Sequence, residues 1–254
     1  MFGIKPWRLG RLLGFPIDLN PSFLLLLGLV LVMFGGIGGV IAVLVLFASV
    51  LVHELGHAVV GRRLGVDTDS IELGFLGGAA RMVDMPMNAR AEILIAAAGP
   101  AVSLAIGFFA LAIGHGATVP FIAMIGWINL VLAGFNLIPA LPMDGGRILR
   151  AALSTRFRYV RATEIAVKVS RVAAGAFLVL GIVTLNWSLL ILAPFLWIQG
   201  ARELMIARYR AQDMGEVTVL PRNAWDNRDR APQATGLRGF RMVMRNGRMV
   251  IELD

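Results

Sequence analysis

The apolar positions of this chain lie in long unbroken runs, unlike the alternations or one-sided stripes of a water-soluble fold. Phe23 to Val52 contains no charged residue, and runs of this length are read as membrane-crossing helices. Six spans are predicted, at about Pro21–Phe34, Val40–Leu64, Ala91–Ile113, Ala117–Ile138, Val169–Leu185 and Asn186–Met205. Gly35-Gly36-Ile37-Gly38-Gly39 is predicted as a tight hairpin between the first two spans, because glycine disfavours helix. Gly99-Pro100 is predicted to kink the third. Pro139-Ala140-Leu141-Pro142-Met143-Asp144-Gly145-Gly146 cannot continue the fourth as helix.

Between the second and third spans the pattern changes. Asp67-Thr68-Asp69-Ser70 is a turn cluster, and Ile71 to Gly78 is predicted as short strand with glycine breaks. Near the end of the chain, Phe240 to Leu253 alternates around Asn246-Gly247 and is predicted as a hairpin. In that register Met244 faces Met249, Met242 faces Ile251, and Phe240 faces Leu253. The fold class expected is an all-α polytopic membrane protein with about six transmembrane helices. A short membrane-associated β element and a small cytoplasmic C-terminal β-hairpin complete it. Residues 1–206 would form the membrane domain and 207–254 a tail with the hairpin at 240–253.

Composition agrees with this picture: 57% of residues are apolar, 16% are charged, and mean hydropathy is +0.76, well away from a soluble domain. A formal charge of +8 would point to nucleic acid in a soluble chain, but in a polytopic one basic residues mark cytoplasmic loops. With the N-terminus inside, the outer loops fall near residues 35–39, 114–118 and 185–188, and none holds Lys or Arg. Both termini are therefore predicted to be cytoplasmic. Lys5, Arg8 and Arg11 precede an apolar run as in a signal peptide, but no A-x-A-like site follows, so this is read as a retained span. The chain has no cysteine, which excludes disulfides and thiolate metal sites.

The chemistry sits at the end of the apolar run, in His53-Glu54-Leu55-Gly56-His57. Residues four apart share a helix face, so both imidazoles can reach one ion, with Glu54 beside them to act on a water. Arg62 and Arg63 end this span on the inner side, placing the histidines on the order of 8 Å below that surface. Intramembrane ionisable groups are costly and default to function. A catalytic zinc needs three protein ligands and an open position. Of the carboxylates, Asp144 is the best candidate for the third: the fourth span also ends inside, at similar depth, and prolines and glycines release its backbone. His115 lies in a predicted outer loop, on the wrong side.

His53-Glu54-Leu55-Gly56-His57, together with Asn136-Leu137-Ile138-Pro139 and Asp144-Gly145, resembles the site-2 protease family of intramembrane metalloproteases over roughly residues 10–205. The resemblance implies one Zn²⁺ per chain held by His53, His57 and Asp144, with Glu54 as catalytic base. It also implies that Asn136 lies near the scissile carbonyl, and that Gly74-Phe75-Leu76-Gly77-Gly78 offers an edge to an unwound substrate. Ser103 departs from the Asn that many relatives carry after the Gly-Pro pair. No room is left for a PDZ insert, and the tail is too short for paired CBS domains. The expected function is zinc-dependent cleavage in or near the transmembrane segment of a membrane protein, a single-span one. The setting would be the lipid bilayer of a prokaryotic cell membrane, with no nucleic acid. The alternatives are a non-catalytic metal-binding membrane protein, in which loss of Glu54 would be expected, and a metal transporter, which would need ligands reachable from both sides.

Overall fold

Glycine residues that weaken a helix in water do not stop one here. Helix α1 (Gly36–Arg63) begins inside the glycine run, with Gly39 N–H donating to Gly35 O at 3.1 Å. Within that run Gly35 and Gly36 take positive φ, +60° and +56°. The predicted hairpin over 35–39 is thus helix from Gly36 onward, with Gly35 at its N-cap. Unsatisfied backbone in an apolar medium costs more than glycine's propensity deficit of about 1 kcal/mol. The computed structural model describes residues 6–23, 28, 32, 35–74, 77–82, 88–116, 119–216, 240–245 and 248–253. The first predicted span, about 21–34, lies mostly outside them.

Helix α2 (Ala89–Gly116) runs unbroken through Pro100, and α3 (Pro120–Asn136) follows. Two helices differ from expectation. The segment from Asp144 was read as non-helical, yet Asp144 opens a short helix, α4 (Asp144–Ser154). The fifth span was expected from Val169, but α5 covers Tyr159–Thr184. Its early turns bury Ala162, Thr163, Ala166 and Val167 on one face while Arg161 and Lys168 stay exposed, an amphipathic continuation that a charge-free window misses. Helix α6 (Trp187–Glu216) completes the set. Helices α1, α2, α5 and α6 are each long and apolar enough to cross a membrane by length and composition, and α3 is a shorter apolar helix. The protein is an integral membrane protein, mostly helical.

The membrane-associated β element is larger than the short strand expected. Strands β1 (Trp7–Leu12), β2 (Phe15–Leu19), β3 (Thr68–Gly74) and β4 (Gly77–Met82) form one sheet in the order β1-β2-β3-β4. β2 and β3 pair in parallel, and the other two pairings are antiparallel. Phe15 and Ile17 of β2 and Ile71 and Leu73 of β3 bury against Leu55 and Ala58 of α1. The sheet is therefore seated on the very turn of α1 that carries the paired histidines.

The last 42 residues, Asp213–Asp254, form a separate unit. Within it β5 (Phe240–Arg245) and β6 (Arg248–Leu253) pair antiparallel, with Phe240 opposite Leu253, Met242 opposite Ile251 and Met244 opposite Met249. Asn246 and Gly247 lie outside the described residues.

Candidate metal centre

The helical repeat places His53 and His57 one turn apart, their ring centroids 4.9 Å apart and their planes at 77°. Both are buried, as are Glu54 and Asp144. Oδ2 of Asp144 stands 3.1 Å from His53 Nε2 and 3.2 Å from His57 Nε2. Ligands about 2.0–2.2 Å from one tetrahedral zinc stand roughly 3.3–3.6 Å apart, so this spacing is close to what an ion requires.

The outward-facing nitrogens explain how the rings are held. Nδ1 of His57 donates to the Ile95 carbonyl at 2.6 Å, since a carbonyl can only accept. A neutral imidazole has one N–H, so His57 Nε2 then faces the Asp144 carboxylate as lone pair against lone pair. Something positive must lie between them, a proton or a cation. Nδ1 of His53 shares a hydrogen bond with Ser103 Oγ at 3.0 Å. Such partners fix tautomer and ring orientation in metal centres. The three ligand atoms could hold a metal ion.

Space for an ion comes from a glycine. A Cβ on Gly99 would lie 2.2 Å from His57 Nε2 and 2.7 Å from His53 Nε2. No other residue leaves room beside both nitrogens. Gly56 does the matching work on α1, where a Cβ would meet the Ala98 carbonyl at 3.0 Å. Gly99, beside the proline predicted to kink this helix, is thus a point of close approach.

Asp144 arrives by a different route. After α3 ends, the chain turns through 137–143, with Met143 N–H donating to Ala140 O at 2.9 Å and Leu141 N–H to Ser170 Oγ at 2.7 Å. Helix α4 then packs back on that turn. A Cβ on Gly145 would lie 2.3 Å from Leu137 O, and one on Gly146 2.4 Å from Leu141 N. Six residues on from Asp144, buried Arg150 donates to Glu92 at the start of α2 through Nε at 3.0 Å and also through a very close Nη2 contact. Its Nη1 donates to Glu203 of α6 at 3.2 Å. Burial alone would lower the Arg150 pKa, but Glu92, Tyr159 and Glu203 together more than offset this, so the pKa is raised and the clamp stays charged.

Thus His53, His57 and Asp144 are brought together, with Glu54 in the same buried turn of α1. Asn136, the last residue of α3, is half-buried, and among the described residues its side chain bonds only to Leu132 O of its own helix, at 3.0 Å. Gly74 ends β3 and pairs with Gly77, and Leu73 pairs with Gly78 of β4. Phe75 and Leu76 lie outside the described residues. The Ile95 carbonyl and the Arg150 clamp were not singled out by the sequence, and Gly99 only as part of a kink. The signals available were a Gly-Pro pair with a hydroxyl three residues on, and charges set in apolar surroundings.

Residues 41–119 and 112–180 match peptidase family M50. The chain is 36% identical over 204 residues to the zinc metalloprotease MJ0392 of Methanocaldococcus jannaschii, covering 77% of this chain and 60% of that protein. It is 36% identical over 198 residues to Rip3 of Mycobacterium tuberculosis, covering 68% of this chain and 50% of Rip3. The chain therefore spans half to three fifths of these curated relatives. Among solved structures, the site-2 protease from Methanocaldococcus jannaschii superposes with a TM-score of 0.64 at 36% identity, covering 78% of this chain and 95% of that one.

Proposed function

The chain belongs to peptidase family M50, and on that premise we propose that it is a zinc-dependent endopeptidase acting within the membrane. Its substrate is a peptide bond in or beside the transmembrane segment of another membrane protein, of the single-span type. The observation that carries this reading is the convergence of two imidazole nitrogens and one carboxylate oxygen within 4.8 Å of one another. His53, His57 and Asp144 would hold one zinc per chain. When bound, zinc supplies Lewis-acid polarisation to a carbonyl and to water.

The remaining roles fall to the chain's own side chains. Glu54, buried one residue from His53, takes a proton from the attacking water and delivers it to the leaving amine nitrogen. Ser103 and the Ile95 carbonyl keep the imidazoles aimed. Asn136 uses one amide hydrogen on Leu132, and the second is the group for the substrate carbonyl. A helical peptide bond is shielded by its own hydrogen bonds, so the substrate must unwind. Strand β4 stands at the end of the sheet order and would receive the unwound segment by strand addition, with Gly74, Phe75, Leu76, Gly77 and Gly78 at its near end.

The same reading places six spans in a prokaryotic cell membrane, the first across about residues 21–34, with both termini cytoplasmic. Residues 1–206 form the protease domain and 207–254 a cytoplasmic tail. The distribution of Lys and Arg supports this orientation. The test is Glu54→Gln, assayed on a single-span substrate reconstituted with the full chain. Zinc content is expected to stay at one per chain while cleavage falls at least about 100-fold. Turnover retained in this variant would contradict the assignment.

A further inference from the structure

Helices α5 and α6 are joined by a one-turn reversal at Leu185-Asn186 and pack side by side, Gly200 meeting Val167 and Ser170. Between them lies a groove of about 310 Å³ lined by Arg171, Ala201, Leu204, Met205, Arg208 and Tyr209. We infer that this groove binds the headgroup of an anionic phospholipid. It is separate from the metal centre and uses none of its residues.

Charge points to an anion. Arg161, Lys168, Arg171, Arg202 and Arg208 are all exposed on these two helices. Glu164 is shared between Arg161 and Arg208, at 3.0 Å from each, and Glu203 is engaged by Arg150. Among the described residues Arg171 has no ion-pair partner. Its guanidinium lies over the Trp197 ring, 5.0 Å from the centroid, which orients the planar fork without neutralising it.

Depth and surroundings select a lipid over a soluble anion. At about 1.5 Å per residue, Arg208 lies roughly 31 Å along α6 from Trp187, and Arg171 roughly 20 Å along α5 from Thr184. A hydrocarbon core is about 30 Å thick, so the groove runs from the leaflet edge about 10 Å inward. Val172, Trp197, Ile198 and Met205 around it are at least half exposed. Acyl chains cover such a rim, whereas free phosphate gains nothing from it. Basic pockets between helices on the cytoplasmic side suit lipid phosphates, at about 1 kcal/mol per cation, equivalent to about fivefold in affinity.

The test is native mass spectrometry of the full chain, purified from phosphatidylcholine–phosphatidylglycerol vesicles, counting retained phosphatidylglycerol. Arg171→Gln is expected to weaken retention about fivefold, and Arg171→Gln with Arg208→Gln about 25-fold. Arg63→Gln with Arg158→Gln removes equal charge elsewhere and should stay within about twofold of wild type. Arg171→Lys, which keeps the charge, should recover part of the loss and shows that the helix pair still folds. Equal loss in the control pair, unchanged retention in Arg171→Gln, or displacement of the lipid by excess inorganic phosphate would each overturn the inference.

Discussion

His53 and His57 reach the candidate centre from a regular turn of a 28-residue helix, whereas Asp144 reaches it across a turn with two prolines, as the first residue of α4. On the first side little is demanded beyond spacing: four residues bring the rings to one face, and α2 supplies a hydrogen-bond partner for each outer nitrogen. On the second side position depends on tertiary packing throughout. Gly145 and Gly146 press against the turn backbone, and Arg150 ties α4 to α2 and α6. The helix-borne candidate ligands are therefore held by local geometry, and the turn-borne one by distant parts of the chain. Damage to the two sides should look different.

The sharpest break in that comparison is Arg150→Met. Removing one partner of a buried ion pair strands the others, at a cost of about 3–5 kcal/mol. Denaturant unfolding in detergent should show this loss, together with weakened metal binding although no ligand was changed. A variant as stable as wild type would mean that α4 is held otherwise. Next comes Gly145→Ala. A Cβ 2.3 Å from the Leu137 carbonyl forces the turn and α4 apart, at about 3 kcal/mol, the upper range for overpacking. Its zinc affinity should fall more than that of any alanine placed on the exposed face of α1. The smallest effect belongs to the helix-borne side. Ser103→Ala removes the Nδ1 partner of His53 and should cost about 10–100-fold in zinc affinity, read by chelator competition, with little change in unfolding.

The same contrast governs what could be read from the sequence. The spacing in His53-Glu54-Leu55-Gly56-His57 and the apolar run before it are local, so the helix and two of the three candidate ligands were legible. Asp144 was legible as a scarce carboxylate at matching depth, but the helix it opens was not. Two glycines after it lower helix propensity by about 1 kcal/mol each, and only packing against 137–141 reverses that. Strand β1 was missed because every residue of it is exposed, leaving no buried face to detect, and β2 because it is five residues long with Pro16 inside it. Gly99 and Ser103 act on histidines some fifty residues away, a relation that no local period records. Ser103, noted in the sequence as a departure from relatives, in fact makes the hydrogen bond to His53.

One ion would join the two sides, so the most direct measurement is zinc per chain in purified protein, wild type against Asp144→Ala. One zinc per chain in wild type, falling well below one in the variant, is the expected result. A full zinc in Asp144→Ala, or none in wild type, would contradict the account.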